Sequence, residues 1–89
     1  MAKYLLIYEN GDLSLAPTHF AAHQEAWSSF AQRGALVMIG PVVSSPLFGA
    51  LAVFTTREDA EAFAKSDPFV IHGVVSRWSV AEWKEALTP

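Results

Sequence analysis

From Lys3 to Tyr8 the chain is apolar at nearly every position, with Tyr4, Leu6 and Tyr8 alternating against Leu5 and Ile7. A short segment that is apolar on both alternating faces reads as a strand covered on both sides. Glu9-Asn10-Gly11-Asp12 is turn chemistry. The period then lengthens. Between Pro17 and Gly34, Phe20, His23, Trp27 and Phe30 run i, i+3, i+7, i+10, which is one stripe of a helix. Pro17 suits the first turn of that helix, Gly34 its C-terminal cap, and Arg33 in the last turn agrees with the helix dipole. Ala35 to Val43 is a predicted second strand, interrupted by Gly40-Pro41, a pair that fits a bulge or a sheet edge. After a loop at Ser44-Ser45-Pro46, Phe48 to Phe54 is a third strand, again apolar on both faces. The short connection makes these two an antiparallel hairpin.

Thr56 caps a second helix, with Asp59 three residues on as a variant capping box. Ala60, Phe63 and Ala64 form its inward side, and Glu61 and Lys65 pair at i, i+4 outside. Pro68 drives Asp67 out of the helical region, so this helix stops near Ser66. Phe69 to His72 is a short turn ended by Gly73, Val74 to Val80 a fourth strand, and Trp83 part of a tail. The order β-α-β-β-α-β predicts an α+β, ferredoxin-like fold: an antiparallel four-stranded sheet with both helices on one face. The strands are apolar on both faces, yet two helices cover only one. The uncovered face, with Leu5, Ile7, Leu51 and Val53, therefore calls for a homodimer through the open sheet face. Trp78 and Trp83 belong to the core or to that interface.

The 89 residues make a single domain over 1–89, with no internal repeat or linker. With 52% hydrophobic and 17% charged residues, disorder is excluded as a description. Three Trp, six Phe and two Tyr are more apolar side chain than a core this small readily hides, which again favours self-association. The net charge is -3 and the six Lys and Arg are scattered, so nucleic acid is not an expected partner. No apolar run reaches membrane-spanning length, and the start Met-Ala-Lys-Tyr, too short and too soon charged, gives no expectation of a signal peptide. A soluble cytoplasmic protein is the expectation. There is no Cys, hence no disulfide and no thiolate chemistry.

Against this background His23 stands out. It places an ionisable imidazole in the middle of the apolar stripe, where an unpaired polar group is costly. Such a histidine is either a core residue tied to a backbone carbonyl or a group held for chemistry. His19 lies one turn earlier, and H-x-x-x-H can bind zinc, with Asp67, Glu9 or His72 as a third ligand. The glutamate of H-E-x-x-H is missing, Phe20 standing in its place, so neither a metal nor any other cofactor is expected. Asp67 is a good N-cap for the turn at Pro68. A carboxylate has two oxygens, so it can also orient an imidazole. Ser44, Ser45, Ser76 and Ser79 lack any nucleophile-elbow context, and Gly40 and Gly49 do not make a phosphate loop.

Taken together, these motifs resemble the YciI-related family across nearly the whole chain. The family pattern has a histidine on the first helix, a glycine eleven residues later and a Gly or Gly-Pro six further on. His23, Gly34 and Gly40-Pro41 stand at those spacings. Its second signature, Asp-Pro-aromatic-Val followed by a glycine and a strand, is matched by Asp67-Pro68-Phe69-Val70 and Gly73-Val74-Val75-Ser76-Arg77-Trp78, with Ala62-Phe63-Ala64 before it. The resemblance implies a dimeric α+β barrel, built by packing sheet on sheet, and His23 and Asp67 as the paired residues of the active site. One relative in that family is a dehydrochlorinase of chlorinated hydroquinones, and muconolactone isomerases share the wider superfamily. The chain departs from the family where many members carry Arg: Phe20 replaces one, and Ser79 and Ala81 replace those around the last strand. Arg holds carboxylates and phenolates, so an anionic substrate is put in doubt.

Two functions follow as expectations. The first is a small metal-free enzyme in which His23 is the general acid or base and Asp67 orients it, catalysing isomerisation or elimination on a small metabolite, aromatic ones included. The alternative is a non-catalytic module that binds a small molecule or serves in assembly. The environment of His23 discriminates them, since an enzyme needs an open pocket at the free ring nitrogen.

Overall fold

The computed structural model describes residues 2–46 and 48–89. Four strands, β1 (Ala2–Asn10), β2 (Leu36–Pro41), β3 (Phe48–Phe54) and β4 (Val75–Lys84), form one sheet in the order β2-β3-β1-β4. Every neighbouring pair is antiparallel. Helix α1 (Ala16–Gln32) follows a 3-10 turn at Leu13–Leu15, α2 (Arg57–Ser66) follows β3, and the single turn α3 (Pro68–Ile71) leads into β4. The β-α-β-β-α-β order is the one expected from the sequence, with the helices on one side of the sheet.

The core lies between that side and the helices. Leu6, Tyr8, Ala52 and Phe54 point into it from the central strands, and Ala60, Phe63 and Ala64 meet them from α2. Phe54 and Phe63 are completely buried, and Phe30 of α1 packs edge-on against both, at 6.0 and 5.6 Å between ring centres. Each such ring contributes about 1.5–3 kcal/mol by leaving water. Thr56 caps α2 as expected: its Oγ1 accepts the Asp59 amide at 3.1 Å and its hydroxyl donates back to the Asp59 carboxylate at 3.0 Å. Arg33, just past α1, donates to the other oxygen of Asp59 at 3.0 Å. Gly34 follows with φ 78°, the left-handed conformation a helix end favours.

Several boundaries differ from the sequence expectation. β4 runs on to Lys84, so Trp83 is in the sheet rather than in a tail. β1 begins at Ala2 and offers pairing length, which sets Lys3 against Trp83 and Ala2 against Lys84. Beyond the strand, Lys3 Nζ donates to Glu85 at 3.0 Å. The segment after Pro68 closes one full helical turn. The α1 stripe is not fully buried, because a cavity separates part of α1 from the sheet, and Phe20 remains 53% exposed. β2 is an edge strand, which accommodates Pro41 and its missing donor.

On the far side of the sheet, Leu5 pairs with Val53 and Ile7 with Leu51. Met38, Ala81 and Trp83 extend this apolar surface into a shallow groove. No helix covers it.

β1 and β4 are tied together at one end by a tight junction. Gly11 N donates to Val74 O at 2.8 Å and Asp12 N to Gly73 O at 2.9 Å. A Cβ at Gly11 would run into the Gly73 carbonyl oxygen, a backbone atom that cannot swing aside. Gly11→Ala is therefore expected to destabilise the fold by about 1–3 kcal/mol. At Gly40 a Cβ would meet nothing within 4 Å, so Gly40→Ala is expected to be nearly neutral. Chemical denaturation of both variants checks the contrast; equal midpoints would contradict it.

Candidate active site

Three distant parts of the chain converge on the Asp67 carboxylate, which is wholly buried. Pro68 sets the backbone there, leaving Asp67 extended (φ -70°, ψ 122°) as the N-cap of α3. Its Oδ1 accepts the Phe69 amide at 3.1 Å, the capping bond read from the sequence. The same oxygen lies 2.8 Å from Nδ1 of His23, and Oδ2 accepts the Tyr8 hydroxyl at 2.6 Å. A buried carboxylate is tolerable only when satisfied in this way.

The network fixes the histidine tautomer. An ionised carboxylate only accepts, so Nδ1 of His23 carries the proton that points at Oδ1. In the neutral ring Nε2 is then bare, and no protein group among the described residues bonds it. The ring stacks face to face on Phe69, 3.8 Å between centres and 3° from parallel. Phe69 thus holds both partners, the imidazole through its ring and the carboxylate through its amide. The His23 side chain is 11% exposed, on the side that meets the cavity.

That cavity, about 330 Å³, lies between α1 and the sheet. Leu6, Tyr8 and Ala52 belong to its floor; Phe20, Trp27 and Phe69 are among its walls. Its size suits a ligand of one or two rings. No Lys, Arg, Asp or Glu is among the described residues lining it, and Phe20 stands at its exposed margin. His23 is the one imidazole among the described residues lining it, and Asn10 adds a polar amide.

The other sequence candidates lie elsewhere. His19 stacks on His72, with ring centres 4.0 Å apart and 4° from parallel, and neither joins the Asp67 network. Glu9 sits opposite Arg77 in the β1–β4 ladder. Among the described residues no three His, Cys, Asp or Glu side chains cluster as a metal site would require. Ser76 donates to the Asn10 carbonyl at 2.9 Å and Ser45 accepts the Phe48 amide at 3.1 Å, both in structural roles. Sequence reasoning overlooked Tyr8 and the stacking role of Phe69. A phenol on the buried face of a strand has to bond something, and that was the available signal for Tyr8.

Burial and the adjacent Asp67 charge push the Tyr8 phenol far above its ordinary range, so it stays a donor at any physiological pH.

No family model matches the chain, and no curated protein sequence matches it. Solved structures do. The 5-chloro-2-hydroxyhydroquinone dehydrochlorinase TftG of Burkholderia phenoliruptrix AC1100, in complex with 2,5-dihydroxybenzoquinone, superposes with a TM-score of 0.76 at 18% identity, over 94% of this chain and 95% of that one. A conserved protein of Methanosarcina mazei Go1 gives 0.62 at 7% identity, covering 96% and 93%. At3g17210 of Arabidopsis thaliana gives 0.56 at 13% identity, covering 100% and 99%. At these identities the likeness is one of fold. The chain has the ferredoxin-like α+β fold from which dimeric α+β barrels are built.

Two measurements test this network. Asp67→Asn keeps an acceptor for Nδ1 but removes the charge that stabilises an imidazolium. It should therefore lower the His23 titration midpoint in NMR, by about one unit or more, with the fold retained. An unchanged midpoint would break the link between the two side chains. The second concerns alkaline stability. A phenol held protonated in the fold, but free to ionise once unfolded, contributes stability that is present below about pH 10 and is lost as pH rises above it. Unfolding free energy should fall with pH in that range, and Tyr8→Phe should flatten the slope.

Proposed function

We propose that this protein is a small enzyme of the YciI-related kind that moves a proton at Nε2 of His23 on a small cyclic metabolite. The observation that carries the reading is the environment of His23. One ring nitrogen is held by a buried carboxylate, the other is bare, and the ring borders a cavity of ligand size. A structural histidine would have both nitrogens occupied.

The chemistry follows from those positions. Nε2 takes a proton from a carbon or hydroxyl of the bound compound. Asp67, 2.8 Å from Nδ1, stabilises the resulting imidazolium, and the Phe69 ring beneath it adds a cation–π attraction. Returning the proton at another atom gives an isomerisation. Departure of a leaving group with the released electron pair gives an elimination, the reaction class of TftG. The apolar walls favour a flat, uncharged compound, and no guanidinium lines the cavity among the described residues to hold an anion.

The active form is a homodimer joined through the open sheet face, working in the cytoplasm. Support for the dimer is the apolar surface of Leu5, Ile7, Leu51 and Val53, continued by Met38 and Trp83, which are 66% and 51% exposed.

Two experiments decide. With 5-chloro-2-hydroxyhydroquinone as probe, chloride release is expected, and His23→Gln should reduce it by about 100-fold or more. Binding of this compound that shifts the His23 resonances without any chloride release would support the binding-module alternative instead. No effect of the compound at His23 would sink the assignment of the cavity. Light scattering at micromolar concentration should give about twice the 9.7 kDa chain mass, and a folded monomer there would refute the dimer.

A further inference from the structure

We propose that Tyr8 is a positioning residue of this site, whose hydroxyl, by holding Oδ2 of Asp67, sets how much of the carboxylate's charge the His23 imidazole feels. The proposal rests on the reading of His23 as the group that moves the proton.

The geometry is that of a relay with Asp67 in the middle. Tyr8 comes from β1, His23 from α1, and Asp67 from the junction of α2 and α3. The Tyr8 bond, at 2.6 Å, is shorter than the His23 bond, at 2.8 Å, and the two fall on different oxygens. The Phe69 amide shares Oδ1 with His23. Oδ2 has no protein donor other than Tyr8 among the described residues. Hydrogen bonds to a charged group are strong, and each one draws charge toward its own oxygen. A donor on Oδ2 therefore competes with Nδ1–H for the carboxylate and moderates the basicity of Nε2. It also pins the carboxylate plane, so that Oδ1 keeps facing the imidazole. Other titratable groups near the ring are few. His19 lies one turn earlier on α1, and His72, at the end of α3, stacks on His19. Neither touches Asp67, and no charged side chain lines the cavity among the described residues.

Histidine NMR titration of the intact protein tests this without any substrate. Tyr8→Phe removes the competing donor, so the His23 midpoint should rise by about half a unit. Asp67→Asn moves the same midpoint down. Because Tyr8→Phe leaves a buried oxygen unpaired and could impair folding, a second variant replaces the phenol without losing it. 3-Fluorotyrosine at position 8, in a Tyr4→Phe background, is a stronger donor of nearly the same size and should lower the midpoint. Shifts of opposite sign for phenylalanine and fluorotyrosine support the proposal. If Asp67→Asn moves the midpoint and neither Tyr8 variant does, Tyr8 is a packing residue only, and the proton-transfer reading stands. If Asp67→Asn itself has no effect, the relay does not exist and both fall together.

Discussion

The structure is organised around a carboxylate that has been taken out of water. Removing Asp67 from solvent is unfavourable unless its oxygens are satisfied, and they are, by Tyr8, His23 and the Phe69 amide. Satisfying them draws β1, α1 and the α2–α3 junction to one point. The helical turn of α3 follows from the same group, because Asp67 is its cap and Pro68 its first residue. So does the orientation of the His23 ring, pinned between a carboxylate and the face of Phe69. What distinguishes this site from an ordinary core is the space beside it. α1 stands away from the sheet and leaves a cavity where packing would otherwise have closed over the imidazole.

That cavity explains a contradiction in the helix. An apolar stripe normally marks a face pressed into the core, yet α1 contains no fully buried residue. Phe20 and Trp27 line a hollow, while Phe30, near the helix end, packs edge-on against Phe54 and Phe63. The stripe is apolar because a ligand-sized space needs apolar walls as much as a core does. The two demands leave the same trace in the sequence.

The element order and the turn positions were legible, since alternation, helical period, Pro and Gly each act locally. Thr56 as a cap, Gly34 as a helix end and Asp67 before Pro68 are all decisions made within a few residues. The pairing of His23 with Asp67 was legible through the family resemblance, supported by the argument that a histidine on an apolar stripe needs a partner. Tyr8 was not, because alternation says which face a residue takes and not what lies opposite it. The length of β4 was hidden for a related reason. Ala81, Glu82 and Trp83 carry no strong strand signal of their own and are held by Lys3, Tyr4 and Leu5 of β1. α3 is four residues long, too short for any period to show.

The partners of Asp67 are far from it along the chain, His23 by 44 positions and Tyr8 by 59. Closing loops of that length costs entropy that only the completed core repays. The network therefore has no local precursor. A partly folded chain holds all three side chains without their arrangement. The bare Nε2 thus comes into being together with the global fold, and an unfolded or nascent chain exposes only three ordinary, solvated residues.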